Sequence, residues 1–260
     1  MQAIYIYNKV KGQARTLLLS CLLAFIPFAA SAVSKQEADS AYMREDYQQA
    51  ASLYEKLLQQ GVSASIYYNL GNAYYRMENM PKAILNYERA LVLSPGDKDI
   101  RFNLQMARSK TVDRITPESE MFFVTWYRSV VSQASADGWA VTAVVALVVA
   151  IALALLYLFA GRIWLRKVGF FGSLLLMVLF IAANVFAWQQ KQRVVSRSGA
   201  IIMSSAATVK STPSKGGTDL FILHEGTKVT IIDNSMSGWA EVSVADGREG
   251  WIEKSAISVI

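Results

Sequence analysis

The first long pattern in the chain is a helical period of apolar and small residues between Ser34 and Lys110. It is clearest from Ala64 to Gly96, where such residues recur at helical spacing at Tyr67, Leu70, Gly71, Tyr74, Ala83, Tyr87 and Ala90. Pro81 suits the first turn of a second helix, and Pro95 suits its end. The pattern therefore predicts two antiparallel helices that pack closely.

A weaker copy of this unit precedes it, at about 34–61. Ala50 and Tyr54 hold the spacing of the matching alanine and tyrosine in the clear copy. A third helix is predicted to begin near Asp97 or Asp99. Because the last unit of a repeat array has no further neighbour, we expect this helix to cover its exposed face.

The clear unit resembles a tetratricopeptide repeat in its large-x2-Leu-Gly-x2-Tyr opening, its two alanines, its aromatic residue and its terminal proline. In such an array the first helix of each pair forms a concave surface. The candidate partner-binding residues there are Tyr68, Asn69, Asn72, Tyr75, Arg76 and Asn103. Asn amides can bond a peptide backbone, and Tyr supplies rigid contact area. The alternative is that these residues only match the consensus of the repeat and say nothing about a partner.

Two uninterrupted apolar runs follow, Ala140–Ala160 and Val168–Ala187. Each is long enough to cross the hydrocarbon core of a bilayer. Trp139 and Trp188 lie at their outer ends, where aromatic rings favour the headgroup region. The segment 161–167 between them is basic, as expected of a cytoplasmic loop. The two runs predict a membrane hairpin that serves as an anchor.

The residues just before the first run, Met121–Val131, predict an aromatic amphipathic helix. Such a helix suits the headgroup region. Packing against the repeats is the alternative.

The start of the chain predicts export. Residues 1–32 combine basic residues, an apolar stretch and the small residues Ala30-Ser31-Ala32, as in a cleaved signal peptide. An uncleaved anchor is the alternative. Export of the repeats followed by a hairpin places both ends of the mature chain outside the cytoplasm, although basic residues after the second run weaken this prediction.

From about Ser198 the pattern changes to short strands separated by turns. Candidate strands cover 200–203, 220–223, 228–232, 239–244 and 251–252. The segment resembles a bacterial SH3-like domain in Glu225-Gly226-Thr227, Gly238 to Val242, Asp246-Gly247 and Gly250-Trp251-Ile252. That resemblance implies a small all-β barrel that binds cell-wall peptides or proteins. Trp239 and Trp251 are its groove candidates, and the alternative is that they pack the barrel.

The composition of the chain mainly excludes classes of function. Of 260 residues, 53% are hydrophobic and 18% charged, which is too apolar for an ordinary soluble protein. The net charge is +6, but no basic stripe points to nucleic acid. One His and one Cys cannot supply a typical metal site, and no catalytic motif is present. We therefore predict no catalytic residue, no cofactor and no metal, and hence no enzymatic activity.

The predicted fold class is a multidomain membrane protein with an all-α repeat domain, a transmembrane helical hairpin and a small all-β SH3-like barrel. Its predicted segments are a signal peptide (1–32), two repeats with a capping helix (33–116), a juxtamembrane segment (117–138), a first span (139–160), a cytoplasmic loop (161–167), a second span (168–188), a linker (189–197) and the SH3-like domain (198–260).

This order resembles the BatE-type proteins of the Bat aerotolerance-operon family, as do Asn103-Leu104 with Ala107-Arg108 and the stretch Thr111 to Ile115. The resemblance implies a scaffold for a membrane complex with von Willebrand factor A-type proteins, coupled to a MoxR-type ATPase and to stress tolerance. The alternative function is peptidoglycan binding or cell-wall sensing by the SH3-like domain.

Overall fold

The computed structural model of the protein describes residues 34–260. The predicted signal peptide, 1–32, lies outside the described residues. The described chain comprises a helical region, two long apolar helices and a C-terminal antiparallel sheet, in agreement with the predicted fold class.

The helical region consists of two helix pairs and a fifth helix. Its elements are α1 (Lys35–Met43), α2 (Tyr47–Gln60), α3 (Ala64–Arg76), α4 (Met80–Leu93) and α5 (Lys98–Arg108). Polar side chains begin three of them: Asp46 accepts from Gln49 N at 3.0 Å, Asn79 from Lys82 N at 3.2 Å, and Asp97 from Ile100 N at 3.1 Å. These side chains satisfy amide groups that the helix itself leaves without partners.

The repeat core is built from alanines and tyrosines at the positions that the helical period predicts. Ala50, Tyr54, Ala83 and Tyr87 are all buried. Gly71 is required by this packing, because a Cβ atom there would lie 2.6 Å from Cδ1 of Tyr87. The small residue lets α3 and α4 approach closely around the tyrosine ring.

The two apolar helices pack against each other as a hairpin. They are α7 (Ala136–Phe159) and α8 (Ile163–Ser196), and both are long and apolar enough to cross a membrane. Alanines of α7 and Gly169 of α8 are buried at their contact, where a Cβ on Gly169 would lie 2.7 Å from Leu153 O. Small residues at this contact allow the close backbone approach common between membrane helices.

The boundaries of the hairpin differ from two predicted segments. The predicted loop 161–167 is shorter, since α8 already begins at Ile163. The predicted linker 189–197 is the last part of α8, which continues to Ser196. The residues from Gln189 to Ser196 include no Gly or Pro and are rich in Gln, Lys and Arg, so nothing stops the helix at the end of the apolar run. Arg197, in the left-handed conformation at φ 42°, ends it.

The C-terminal sheet has seven strands: β1 (Gly199–Ile202), β2 (Ala206–Lys210), β3 (Asp219–His224), β4 (Lys228–Asp233), β5 (Trp239–Ser243), β6 (Glu249–Glu253) and β7 (Ile257–Val259). Their order in the sheet is β3-β2-β6-β5-β4-β1-β7. The candidate strands omit β2 and β7. The buried core of the sheet consists of alternate strand residues, among them Val209, Leu223, Val242 and Ile252.

The segment 109–118 joins the repeats to a short helix, α6 (Phe122–Val131), and crosses the barrel on its way. Ile115 packs against the barrel core, and Glu118 N donates to Ala245 O at 3.0 Å. Opposite this segment, Gly226 has φ +82°, and a Cβ there would lie 2.7 Å from Cγ2 of Thr111. Only glycine fits both the backbone conformation and the close approach.

Candidate functional site

The candidate site is the groove lined by α1, α3 and α5 on one side of the repeats. It contains two adjoining cavities of about 280 and 300 Å³ that share Tyr42 and Asn72. The first is lined by Tyr42, Asn72, Tyr75, Arg76, Tyr87, Phe102, Asn103 and Met106. The second is lined by Asp39, Tyr42, Met43, Tyr54, Asn69 and Asn72. The structure thus brings five of the six candidate repeat residues to one concave surface.

The sixth candidate residue, Tyr68, supports the groove from beside it. Its hydroxyl oxygen accepts a hydrogen bond from Nδ2 of Asn103 at 2.9 Å. The same Nδ2 also donates to Oδ1 of Asn72 at 2.9 Å, and the hydroxyl of the buried Tyr87 donates to this Oδ1 at 2.7 Å. These bonds tie α3, α4 and α5 together. The side-chain oxygen of Asn72 therefore already accepts hydrogen bonds from within the repeats.

A second polar group closes the other end of the groove. Oδ1 of Asp39 accepts from the hydroxyl of Tyr54 at 2.6 Å and from Nδ2 of Asn69 at 3.2 Å, while Oδ2 accepts from Lys35 at 2.6 Å. Burial alone would raise the pKa of Asp39, but these hydrogen bonds outweigh it and hold the pKa below its ordinary value. Burial, together with the bond to Asp39, raises the pKa of Tyr54. Asp39 is thus a fixed carboxylate with a neutral tyrosine donor.

Cations lie near the opposite end. The Arg76 guanidinium lies 4.9 Å from the ring centroid of Tyr47, and Nζ of Lys110 lies 4.4 Å from that of Tyr75. Both distances suit cation–π attraction. The groove is therefore lined by the Asp39 carboxylate at one end and by the Arg76 guanidinium at the other.

Two exposed apolar residues of the groove, Phe102 and Met106, are not among the candidates predicted from the sequence. Phe102 is 63% exposed and Met106 is 44% exposed, one turn apart on α5. The buried face of α5 consists of Ile100, Leu104 and Ala107. Phe102 and Met106 lie outside this buried period, and two large apolar residues in such positions are the sequence feature that could indicate an exposed binding surface.

The two tryptophans of the barrel lie on neighbouring strands and on one face. Trp239 is paired with Glu253, and Trp251 with Glu241, in the β5–β6 ladder. Their strand neighbours Ala240 and Ile252 point into the core, so both tryptophans lie on the opposite face, where they are half-buried. The barrel core is thus formed without them.

The described part of the chain, residues 34–260, has no group of three or more His, Cys, Asp or Glu residues that could hold a metal ion. His224, the only histidine in the sequence, contacts Asp113 of the crossing segment.

Two parts of the chain match known families. Residues 64–97 match the tetratricopeptide repeat, and residues 205–258 match the bacterial SH3 domain. Tetratricopeptide repeats are typical of protein–protein interaction, and bacterial SH3 domains suggest cell-wall binding; both are typically binding modules without catalysis. Two apolar helices suggest association with a membrane. No curated protein matches the chain.

Proposed function

We propose that the protein is a non-enzymatic, membrane-anchored scaffold whose groove binds another protein of the cell envelope. The observation that carries this proposal is the combination of exposed Phe102 and Met106 with a polar network already bonded within the groove. Asn72 and Asp39 are already bonded within the repeats, whereas Phe102 and Met106 are exposed, so these two apolar side chains are available for contact with a partner. Such a surface fits apolar side chains of a helix or an extended segment.

The proposed location of this groove rests on sequence patterns. We propose that the repeats and the barrel both lie on the extracytoplasmic side of the cytoplasmic membrane. The predicted signal peptide, the apolar hairpin and the basic residues at its turn, Arg162, Arg166 and Lys167, support this topology.

The identity of the partner rests on the family resemblance. The order of repeats, hairpin and SH3 domain, and the stretch Thr111 to Ile115, support assignment to a complex of the Bat type. We propose a von Willebrand factor A-type membrane protein as the ligand of the groove, in a complex with a MoxR-type ATPase that serves aerotolerance or envelope stress.

A photo-crosslinking residue at Phe102, in the full-length protein in its native membrane, tests the scaffold function. This position is preferable to Tyr68, because Tyr68 is bonded to Asn103. A crosslinker at Ile222, which is 55% exposed and lies on the barrel, is the matched control. Specific capture of a von Willebrand factor A-type protein at Phe102 supports the proposal. No capture from a folded, exported protein contradicts it.

A second candidate function, peptidoglycan binding, is favoured by Trp239 and Trp251 on the outer face of the barrel. Aromatic rings on an accessible face can stack on sugars or peptides. The full-length protein in detergent should then be retained on purified cell-wall sacculi, and Trp239→Ala or Trp251→Ala should weaken retention while Ile222→Ala does not. Equal retention of all four proteins would remove this candidate.

A further inference from the structure

The helix α6 (Phe122–Val131) has three sides with different surroundings. At 3.6 residues per turn, its residues divide into a side packed on α8, a polar side and an exposed aromatic side. The proposed binding functions use none of these sides.

The packed side fixes α6 to the outer end of the hairpin. The Tyr127 ring contacts that of Phe186 with centroids 5.8 Å apart, and its hydroxyl donates to Oε1 of Gln189 at 3.1 Å. Val131 is fully buried, and its carbonyl accepts from Nε2 of Gln190 at 2.8 Å and from Nε1 of Trp139 at 2.9 Å. These partners lie where the apolar run of α8 ends. The contacts place α6 at the level of the proposed membrane surface.

The polar side of α6 faces the repeats. Thr125, Arg128 and Ser129 line a crevice with Glu88, Leu91 and Pro95 of the helical region and with Lys228 of the barrel. The side that could have packed on the repeats is therefore hydrophilic and open. This arrangement argues against the alternative that the aromatic residues pack there.

The remaining side is apolar and largely exposed. Phe122 is 85% exposed, Trp126 66% and Phe123 51%. Next to the Phe186 contact, Val185 and Trp188 of α8 are also exposed. Exposed apolar side chains therefore lie both on α6 and at the outer end of α8, the two helices that the Tyr127–Phe186 contact joins.

We infer that α6 lies in the outer interfacial region of the bilayer, with Phe122, Phe123 and Trp126 inserted among lipid headgroups and the first acyl carbons. Aromatic side chains favour this region, and a helix with one apolar and one polar side lies along it. The lipid surface is the occupant that continuity with the hairpin selects. The inference rests on the proposed membrane anchoring.

This placement gives the exported part a second point of support. At 1.5 Å per residue, the 34-residue α8 is about 51 Å long, against roughly 30 Å for the hydrocarbon core. Its last turns therefore project outside the membrane and lead through Arg197 and Ser198 to β1. Because α8 connects the membrane to β1 and α6 lies along the lipid surface, the repeats and barrel are held close to the lipid. The groove is therefore best placed for a partner that is itself bound to the membrane.

Depth-dependent fluorescence quenching tests the inference. Phe123→Cys and Trp126→Cys are made one at a time in a full-length Cys21→Ser background and labelled with an environment-sensitive fluorophore. Thr125→Cys, on the polar side of the same helix, is the matched control, and Leu175→Cys, exposed on α8, is the reference for the membrane span. Each protein is reconstituted into phosphatidylcholine vesicles with nitroxide lipids labelled at the headgroup or deep in the acyl chain, or is treated with aqueous iodide.

We expect headgroup nitroxides to quench the labels at positions 123 and 126 roughly threefold more than the label at 125, with iodide showing the reverse order. The label at 175 should be quenched by the deep nitroxide. Equal lipid quenching at 125, 123 and 126, or strong iodide quenching at all three, overturns the inference while quenching at 175 preserves the anchoring. Loss of quenching at 175 overturns both. Disulfide formation between copies of unlabelled Trp126→Cys, with no lipid quenching of the labelled protein, assigns the face to a second copy of the chain and also overturns the inference.

Discussion

The carboxylate of Asp113 contacts both the backbone N–H and the ring of His224, although the two residues are far apart in the chain. Oδ1 of Asp113 lies 2.7 Å from Nδ1 of His224, and Oδ2 accepts from His224 N at 2.8 Å. Oδ2 also accepts from the hydroxyl of Thr227 at 2.7 Å. The segment that leaves the repeats is thereby fastened to the end of β3.

Replacing Asp113 should loosen this junction. Asp113→Ala removes the acceptor of three hydrogen bonds, and we expect a loss of about 1–3 kcal/mol in the free energy of unfolding. The thermal midpoint of the full chain in detergent measures the effect. Asp219→Ala, whose exposed pair with Lys210 should contribute no more than about 1 kcal/mol, is the control. An equal shift for both variants would contradict the role of Asp113.

The same carboxylate should make the junction sensitive to acid. Burial would raise the pKa of Asp113, but hydrogen bonds from the backbone and ring of His224 and from Thr227 outweigh it and lower the pKa from 3.8. A lowered folded-state pKa contributes stability that is complete above 3.8 and is lost as the pH falls through the folded value. The difference in free energy of unfolding between wild type and Asp113→Asn should stay constant above pH 3.8. It should shrink as the pH falls through the folded-state pKa of Asp113. A difference that grows on acidification would contradict this assignment.

Glu88 is a second connection between the repeats and the barrel. Its side chain is 3% exposed and pairs with Arg108 of α5 and, at 2.8 Å, with Nζ of Lys228 in β4. Glu88→Ala should cost about 2–3 kcal/mol, because two cations lose a buried partner but can turn towards water. Lys228→Ala should cost less than about 1 kcal/mol, since Lys228 is partly exposed and Arg108 still pairs with Glu88. Chemical denaturation in detergent measures both variants, and a larger effect for Lys228 would reverse this interpretation.

A methyl group at Gly71 should separate the two helices of the clear repeat. Its Cβ would lie 2.6 Å from the ring of the buried Tyr87, so Gly71→Ala should cost about 1–3 kcal/mol despite the better helix propensity of alanine. Gly61→Ala is the matched control, because nothing lies within 4 Å of its Cβ and its φ of 176° suits alanine. The thermal midpoint of the full chain in detergent measures both variants. Gly61→Ala should leave this midpoint unchanged or raise it slightly. Equal destabilisation of the two variants would exclude this packing argument.

Substitutions at two kinds of groove residue should affect partner binding and folding stability differently. Phe102→Ala should change the free energy of unfolding by less than about 0.5 kcal/mol, because its ring is mostly exposed, yet should abolish crosslinking from neighbouring Met106. Asn72→Ala should instead destabilise the fold by about 1–3 kcal/mol, because the buried Tyr87 hydroxyl loses its acceptor. Crosslinking yield and thermal midpoint are measured on both variants. If Phe102→Ala unfolds the protein, the residue belongs to the core rather than to the binding surface.

Local patterns predict the helical repeats and the two apolar helices because each depends on residues close in the chain. The cap at Asp97, the close approach at Gly71 and the apolar run before Trp188 are of this kind. The extension of α8 to Ser196 is missed because hydropathy marks where an apolar run ends rather than where a helix ends. Strand β2 is missed because Ala206–Lys210 has little apolar bulk outside Val209.

The groove shows the limit of such reasoning more clearly. Five of its candidate residues are brought together, but the role assigned to Asn72 and Asn103 depends on which partners lie within 3 Å. Likewise, the alternation along β5 and β6 places Trp239 and Trp251 outside the core, which family resemblance alone leaves open. Contacts between Asp113 and His224 join residues that no local period relates.

The unbroken course of α8 has a mechanical consequence. Its backbone has no interruption between Ile163 and Ser196, and only Arg197 and Ser198 separate it from β1. Two residues leave little freedom between the helix and the strand, so the direction in which α8 leaves the hairpin sets the orientation of β1. In the proposed membrane topology, a change in the tilt of α8 would therefore change the orientation of the sheet relative to the lipid surface.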